Sequence, residues 1–359
     1  MPTQAQQSGL LADHGCCACV DSAKHGHEET RERAKRRERR FRMATANAWL
    51  NGRCEWWEFR TSEAKRTKIP NGHCECMAEC LHVIEKIIPV ERIYNMKLKD
   101  LLTDISYECI RGNADREISA VVFDSRKIEK DCLFVCIKGA NFDGHSAAGA
   151  ASEMGAAAVV VEQDVEVTGD TAVIRVEETR YAMAFIAAAY FGYPARNMKI
   201  IGITGTKGKT TTTYLIKSIL ENAGYHTGLI GTIEAVIGDR HIPANNTTPD
   251  SFTLQKYFKE MADAGCQAVV MEVSSQGLMM HRTQAIDFEL GIFTNIEPDH
   301  IGPNEHASFE EYMACKSLLF RQCRVGIVNA DDVHVDTILK GHTCSIEKYG
   351  LSAHADIRA

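Results

Sequence analysis

No apolar run in the sequence approaches the roughly 18 residues that a membrane-spanning helix needs. The N-terminus also lacks the charged start, apolar core and small-residue cleavage site of an export signal. Membrane insertion is thereby disfavoured, and a cytoplasmic protein is expected. A surplus of positive charge is missing as well. Lys and Arg number 41 against 48 Asp and Glu, a net charge of -7, which argues against a nucleic-acid partner because phosphate binding leans on excess Lys and Arg. Cys74, Cys76 and Cys80, with His73 and His82 nearby, do not have the paired C-x2-C knuckles of a tetrahedral zinc site, so no zinc is expected there. In an unexported chain the 14 cysteines read as reduced thiols, several of them small buried apolar residues.

What remains is the profile of a globular protein. Its 359 residues, 45% hydrophobic and 25% charged, suffice for two domains with their own cores. The composition breaks near residue 95. Before it lie all three tryptophans (Trp49, Trp56 and Trp57), seven of the cysteines and the run Arg31 to Arg40, where Glu32 and Glu38 interrupt the basic residues. Little apolar periodicity surrounds that run, so residues 1–95 are expected to be an atypical, poorly ordered extension, with Met96 as the start of the folded protein.

From Met96 the pattern becomes α/β. Ile118 to Phe123, Leu133 to Ile137, Ala157 to Val161 and Ala172 to Val176 read as strands. His145 to Met154 and Thr179 to Phe191 read as helices, giving a small α/β domain over 96–193. Tyr193-Pro194 ends the last helix and opens a linker. A second unit, 199–359, starts with a strand at Lys199 to Thr204 and a helix from Lys209 to about Ala223. Val269 to Val273, Leu290 to Thr294 and Val325 to Val328 are its buried-strand candidates, and Ser308 with Glu311 forms a capping box for a helix to about Arg321. This period predicts a doubly wound, mostly parallel sheet.

The segment Gly205-Thr206-Lys207-Gly208-Lys209-Thr210-Thr211 carries the chemistry. Gly205 and Gly208 let the backbone turn its N–H groups toward a phosphate, and the following helix adds the positive end of its dipole. Lys209 supplies charge for the outer phosphates of ATP, and the Thr210 hydroxyl suits Mg²⁺. The spacing is G-x-x-G-K-T-T, with Ile203 where the common Walker form has its first glycine.

This loop is followed by Asn246-Thr-Thr-Pro249, Met271-Glu-Val-Ser-Ser-Gln-Gly-Leu278 with Arg282, Thr294-Asn-Ile-Glu-Pro-Asp-His300, and Cys315-Lys316. Together these resemble the Mur ligases, most closely the MurE type. Phe123-Asp-Ser-Arg126, Leu133-Phe-Val135 and Asp143-Gly-His145 resemble that family's N-terminal UDP-binding domain. The resemblance implies a small α/β UDP-binding domain ahead of a P-loop central domain that is incomplete over 199–359, with the family's C-terminal ligase domain absent. It also implies an ATP-dependent reaction that adds a third amino acid, lysine or diaminopimelate, to UDP-N-acetylmuramoyl-dipeptide through an acyl phosphate in peptidoglycan synthesis.

By the same resemblance Gly205 to Thr211 hold ATP, and Lys209, Glu272, His300 and Lys316 are the catalytic set. Thr210 and Glu272 bind one Mg²⁺, and His300 with a carbamylated Lys316 serves a second. Carbon dioxide addition turns an ammonium that repels cations into an oxygen-bearing anion suited to a hard metal. Asn246, Thr247, Thr248, Ser274 and Arg282 hold the muramoyl-peptide, and Ser125 the uridine diphosphate, with Ala140 to Asp143 as further candidates. Met280 and Gln276 depart from the glutamine and histidine that relatives place there. Two other readings stand beside the ligase: a non-catalytic fragment that binds ATP and a UDP-sugar, and a related ligase acting on folate or cyanophycin.

Overall fold

The structure, a computed structural model, describes residues 96–139, 142–303 and 305–358. The expectations for residues 1–95, including the cysteine cluster and the basic run, lie outside the described residues.

The first unit holds a two-stranded sheet, Met96–Lys97 with Glu117–Ile118, beside a main sheet whose central strands are apolar on both faces. In chain order the strands are β1 (Met96–Lys97), β2 (Glu108–Arg111), β3 (Glu117–Ile118), β4 (Val121–Val122), β5 (Leu133–Val135), β6 (Ala158–Val161) and β7 (Ala172–Arg175). The order in the main sheet is β2-β7-β6-β5-β4, parallel except for β2 at one edge. Successive side chains alternate between two cores, as strand geometry demands. Leu133, Val135 and Val160 face the helix Thr179–Tyr190 through Met183 and Ile186, whereas Phe134, Val159 and Val161 face Ala148 and Ala151 of the helix Ala148–Glu153.

Three local expectations are corrected here. The strand expected over Ile118 to Phe123 is broken into β3 and β4, because Ser119 turns aside to donate its N–H to the Asp131 carbonyl (2.9 Å) and its hydroxyl to Lys130 O (3.0 Å). The helix expected from His145 opens instead as a 3₁₀ turn, Gly144–Ala147, capped by Asp143. The helix expected to reach Arg321 is α-helical over Phe309–Ser317 and continues as a 3₁₀ turn, Leu318–Arg321.

A short link joins the two α/β units. Tyr193 adopts a left-handed conformation (φ 54°) ahead of Pro194, and the Arg196 guanidinium lies 3.8 Å above its ring.

The second unit adds β8 (Lys199–Thr204), β9 (Thr227–Ile230), β10 (Glu234–Ile237), β11 (Arg240–Pro243), β12 (Ala268–Glu272), β13 (Phe288–Phe293), β14 (Cys323–Asn329), β15 (Ser345–Gly350) and β16 (Ile357–Arg358). Their order is β11-β10-β9-β12-β8-β13-β14-β15-β16, parallel from β9 through β16 with an antiparallel hairpin at the β10–β11 edge. One face is covered by Leu254 and Phe258 of the helix Ser251–Asp263, by Tyr312 and Met313, and by Leu319 and Phe320. The opposite face, Ile201, Ile203, Val270 and Ile292, packs on Ile216 and Leu220 of the helix Lys209–Asn222. The first strand, β8, lies between β12 and β13, so the chain leaves it in both directions. Such a reversal opens a crevice at the carboxyl ends of the strands, where ligands of open α/β sheets bind.

Of the seven cysteines among the described residues, Cys109 is exposed and the others are buried. Among the described residues no helix is long and apolar enough to cross a membrane.

Candidate phosphate-transfer site

The carboxyl ends of β8, β12 and β13 bring the expected residues together. After β8 the chain turns through Gly205 (φ 148°) and Gly208 (φ 84°) into the helix that starts at Lys209. Gly205 is required by space as well as by backbone angle: a Cβ there would stand 2.0 Å from Thr294 Oγ1. From the β13 side, Asn295 clamps the loop. Its Oδ1 accepts the Lys207 N–H at 2.9 Å and its Nδ2 donates to Lys207 O at 3.1 Å.

Lys209 folds back over the loop, its ammonium donating to Gly205 O (2.9 Å) and Thr206 O (3.1 Å). Burial lowers its pKa, with Glu272 acting in the opposite sense. Glu272, the last residue of β12, is almost wholly buried. Its carboxylate accepts the Thr210 hydroxyl (3.0 and 3.1 Å), the Thr232 N–H (2.8 Å) and the Thr232 hydroxyl (3.0 Å). Thr210 and Glu272, expected to share a Mg²⁺, lie in direct hydrogen-bond contact.

Lys316 enters the crevice from the helix Phe309–Ser317. It is 1% exposed, donates to Gly205 O at 2.9 Å and sits 4.4 Å from the centre of the Tyr312 ring. Burial, helped by the neighbouring Lys209 charge, brings its pKa from 10.5 down to about 7. His300, at φ 55°, is half exposed and directs Nδ1 to Glu305 Oε1 (3.2 Å). Its ring shares the Tyr312 platform at 5.9 Å. Asp299 is held by Lys207 at 3.1 Å, a contact that lowers its pKa. Among the described residues no three or more His, Cys, Asp and Glu side chains cluster as a complete metal site.

A second group gathers around the β12 exit. The Thr248 hydroxyl donates to Glu272 O (3.0 Å) and accepts the Ser274 N–H (2.9 Å), while Thr248 O accepts from Arg282 (2.7 Å). Ser274 caps the helix Ser275–Met279 by accepting the Gly277 N–H. Thr247 reaches the Thr232 hydroxyl at 3.1 Å, and Asn246 is exposed beside it. Arg282 is half-buried against Met280 Sδ (3.4 Å).

Ser125 lies apart from these, in the 3₁₀ turn Ser125–Lys127 that Asp124 caps through the Arg126 N–H. Asp143 caps the next turn and accepts from His145 Nδ1 (2.6 Å), whereas Ala140 and Asn141 lie outside the described residues.

Several members of this constellation escaped the sequence reading. Asn295 stood inside the quoted Thr294–His300 motif and Tyr312 on the expected helix one turn before Lys316, so their proximity was a usable signal. Thr232 follows β9 with no motif around it, and the buried His306 sits in a stretch without periodicity.

Comparison with known proteins places these elements in a family. Residues 117–204 match the model described as Mur ligase family, catalytic domain, and residues 203–359 match that of the Mur ligase middle domain. The chain belongs to the Mur ligase family. Within it, the chain is 44% identical over 269 residues to UDP-N-acetylmuramoyl-L-alanyl-D-glutamate--2,6-diaminopimelate ligase of Clostridium perfringens, covering 74% of this chain and 55% of that one. A similarly named ligase of Clostridium acetobutylicum is 42% identical over 264 residues, covering 74% and 54%. A solved structure described as UDP-N-acetylmuramoyl-L-alanyl-D-glutamate--2,6-diaminopimelate ligase superposes with a TM-score of 0.61 at 25% identity, over 73% of this chain and 54% of that one. The chain thus spans about half the length of these Mur ligases.

Proposed function

We propose that this chain carries the UDP-sugar-binding and ATP-binding parts of a ligase that adds diaminopimelate to UDP-N-acetylmuramoyl-L-alanyl-D-glutamate in peptidoglycan synthesis. The phosphate loop carries the reading: Lys209 and Thr210 open a helix whose N-terminus meets Glu272 at the carboxyl end of β12. The relatives' names support the substrate and favour diaminopimelate over lysine.

The chemistry needs charge neutralised around a transferred phosphoryl group. A carboxylate oxygen of the dipeptide attacks the γ-phosphorus of ATP, the bond to ADP breaks, and an acyl phosphate results. The amine of the incoming amino acid then attacks the acyl carbon, phosphate leaves with the electron pair, and the amine releases a proton. In this reading the loop N–H groups and Lys209 hold the phosphates. Thr247, Thr248, Ser274 and Arg282, with Asn246, hold the muramoyl-peptide, and Ser125 the uridine diphosphate.

The donor set suits Mg²⁺ better than a softer metal. Thr210 and Glu272 offer hard oxygen on one side, and the sparse protein ligation leaves positions for phosphate oxygens, as Mg²⁺ prefers. Bound Mg²⁺ would neutralise phosphate charge. Lys316 fits carbamylation: with its pKa near 7 a large share of the amine is neutral at physiological pH, the form that adds carbon dioxide and releases a proton. The resulting carbamate N–H retains a donor for Gly205 O, and its oxygens, with His300, would complete a second cation site.

The same contacts support a second reading, since Lys209, Thr210 and Glu272 can serve nucleotide binding without transfer: a module that binds ATP and the UDP-sugar without turnover. Phosphate release by the 359-residue chain, measured with ATP, UDP-N-acetylmuramoyl-dipeptide and either diaminopimelate or lysine, separates the two. Tripeptide product detected by mass supports the ligase. ATP binding without product supports the module, and no ATP binding sinks both.

A further inference from the structure

The stretch from Thr294 to Ser308 carries Asn295, Asp299 and His300 out of β13 and returns to the Lys316 helix. Its anchor is His306, which is 0% exposed. Three contacts radiate from this residue. Its Nε2 pairs with Ser275 Oγ at 2.8 Å, at the start of the helix that follows β12. Its ring lies 5.1 Å from that of Tyr312. Its backbone closes the intervening loop, the His306 N–H donating to His300 O (3.0 Å) and the Gly302 N–H to His306 O (3.2 Å).

Tyr312 carries the connection onward. Its hydroxyl meets Thr206 Oγ1 of the phosphate loop at 3.1 Å, while Lys316 Nζ and the His300 ring lie against its ring at 4.4 and 5.9 Å. His306 is thus the point at which the β12 exit, the His300 turn and the platform beneath Lys316 meet.

The choice of an imidazole here is informative. Nδ1 has no hydrogen-bond partner among the described residues: Glu311 Oε2 stands 3.8 Å away and already accepts the Ala307 N–H at 2.6 Å. An apolar ring would fill the same space without stranding a buried nitrogen, which is unfavourable. What the histidine adds over such a ring is the bond to Ser275.

We propose that His306 is a positioning residue: through its bond to Ser275 and its packing on Tyr312 it fixes His300 and Lys316 relative to the Glu272 end of β12. The role rests on the proposed metal reading of those residues. None of the His306 contacts reaches Gly205 to Thr211, so it governs the Mg²⁺-dependent part of nucleotide binding and leaves the rest intact.

Calorimetric titration of ATP into the full chain, once with Mg²⁺ and once with a chelator, tests this. Two variants remove the same hydrogen bond from opposite ends: His306→Phe keeps a ring against Tyr312, and Ser275→Ala leaves the histidine in place. Each is expected to lose about tenfold of the affinity that Mg²⁺ adds, the worth of one buried hydrogen bond, with chelator-condition affinity within about twofold of wild type. The double variant should lose no more than either single one, because the two ends share one interaction. An unchanged Mg²⁺ effect in both single variants, additive losses, or an equal loss with and without Mg²⁺ overturns the proposal. If His306→Phe does not fold, Ser275→Ala alone decides by the same criteria. A wild-type chain that binds ATP but gains nothing from Mg²⁺ refutes the metal reading itself, and this role with it.

Discussion

Lys316 offers the sharpest quantitative test, because a buried ammonium leaves a signature in stability that is independent of catalysis. Its pKa is about 7 in the folded chain against an ordinary 10.5. The protonated form is therefore disfavoured by folding: the penalty is present in full below about 7 and disappears as pH rises toward the unfolded value. At about 1.4 kcal/mol per pH unit the two limits differ by roughly 5 kcal/mol, and between about pH 6 and pH 9 linkage gives a gain on the order of 3 kcal/mol. With the residue 1% exposed, solvent screening does not reduce this figure. Lys316→Met keeps the aliphatic stem, removes the titrating amine and leaves Gly205 O still bonded to Lys209. Urea unfolding of both proteins in buffers free of carbon dioxide should show the wild type gaining on the order of 3 kcal/mol on the variant across that range, since groups common to both cancel. Parallel pH profiles would refute the argument. Adding bicarbonate at about pH 8 should stabilise the wild type alone, because a modification confined to the folded amine acts as a ligand of the native state.

Lys209→Ala should lose on the order of 100-fold in ATP affinity by calorimetry while circular dichroism stays native, as expected when a charged phosphate donor is removed from an intact loop. Gly205→Ala should abolish ATP binding and lower the melting temperature, because its Cβ would overlap Thr294 Oγ1. Ser125→Ala is expected to weaken binding of the UDP-muramoyl-peptide and leave ATP binding unchanged; equal binding of the sugar nucleotide by variant and wild type would remove Ser125 from the site.

The parts of this fold that were legible from sequence are those where local pattern and burial agree. β5, β6, β7 and β8 are apolar on both faces, and two-sided burial produces the unbroken Leu133, Ala158, Ala172 and Lys199 runs that were read correctly. Ser308 does cap the Phe309 helix, although Glu311 reaches back to the Ala307 N–H, one residue earlier than a capping box requires. The β10–β11 hairpin was missed despite its two-residue Gly238-Asp239 turn, with Gly238 at φ 55°. β2 was missed because all four of its residues are exposed, so no alternation marks it. At the site, the phosphate loop could be read because its residues are contiguous. Thr232, which gives Glu272 two hydrogen bonds from 40 residues away, could not, because nothing local records a contact made by the sheet.

Phe252 gives the arrangement of the two α/β units a mechanical meaning. It belongs to the second unit, yet its ring lies among Phe123, Tyr190 and Phe191 of the first, at 5.9, 5.9 and 5.1 Å. Four residues earlier, Thr248 is bonded to the backbone of Glu272 and Ser274. The stretch from Thr248 to Phe252 is therefore a short tie rod, held at one end against the Phe123 side of the first unit and at the other to the tip of β12. One stretch of chain thus seats both the first unit's aromatic cluster and the strand end that presents Glu272, so a substitution that shifts Phe252 would be felt at the phosphate crevice.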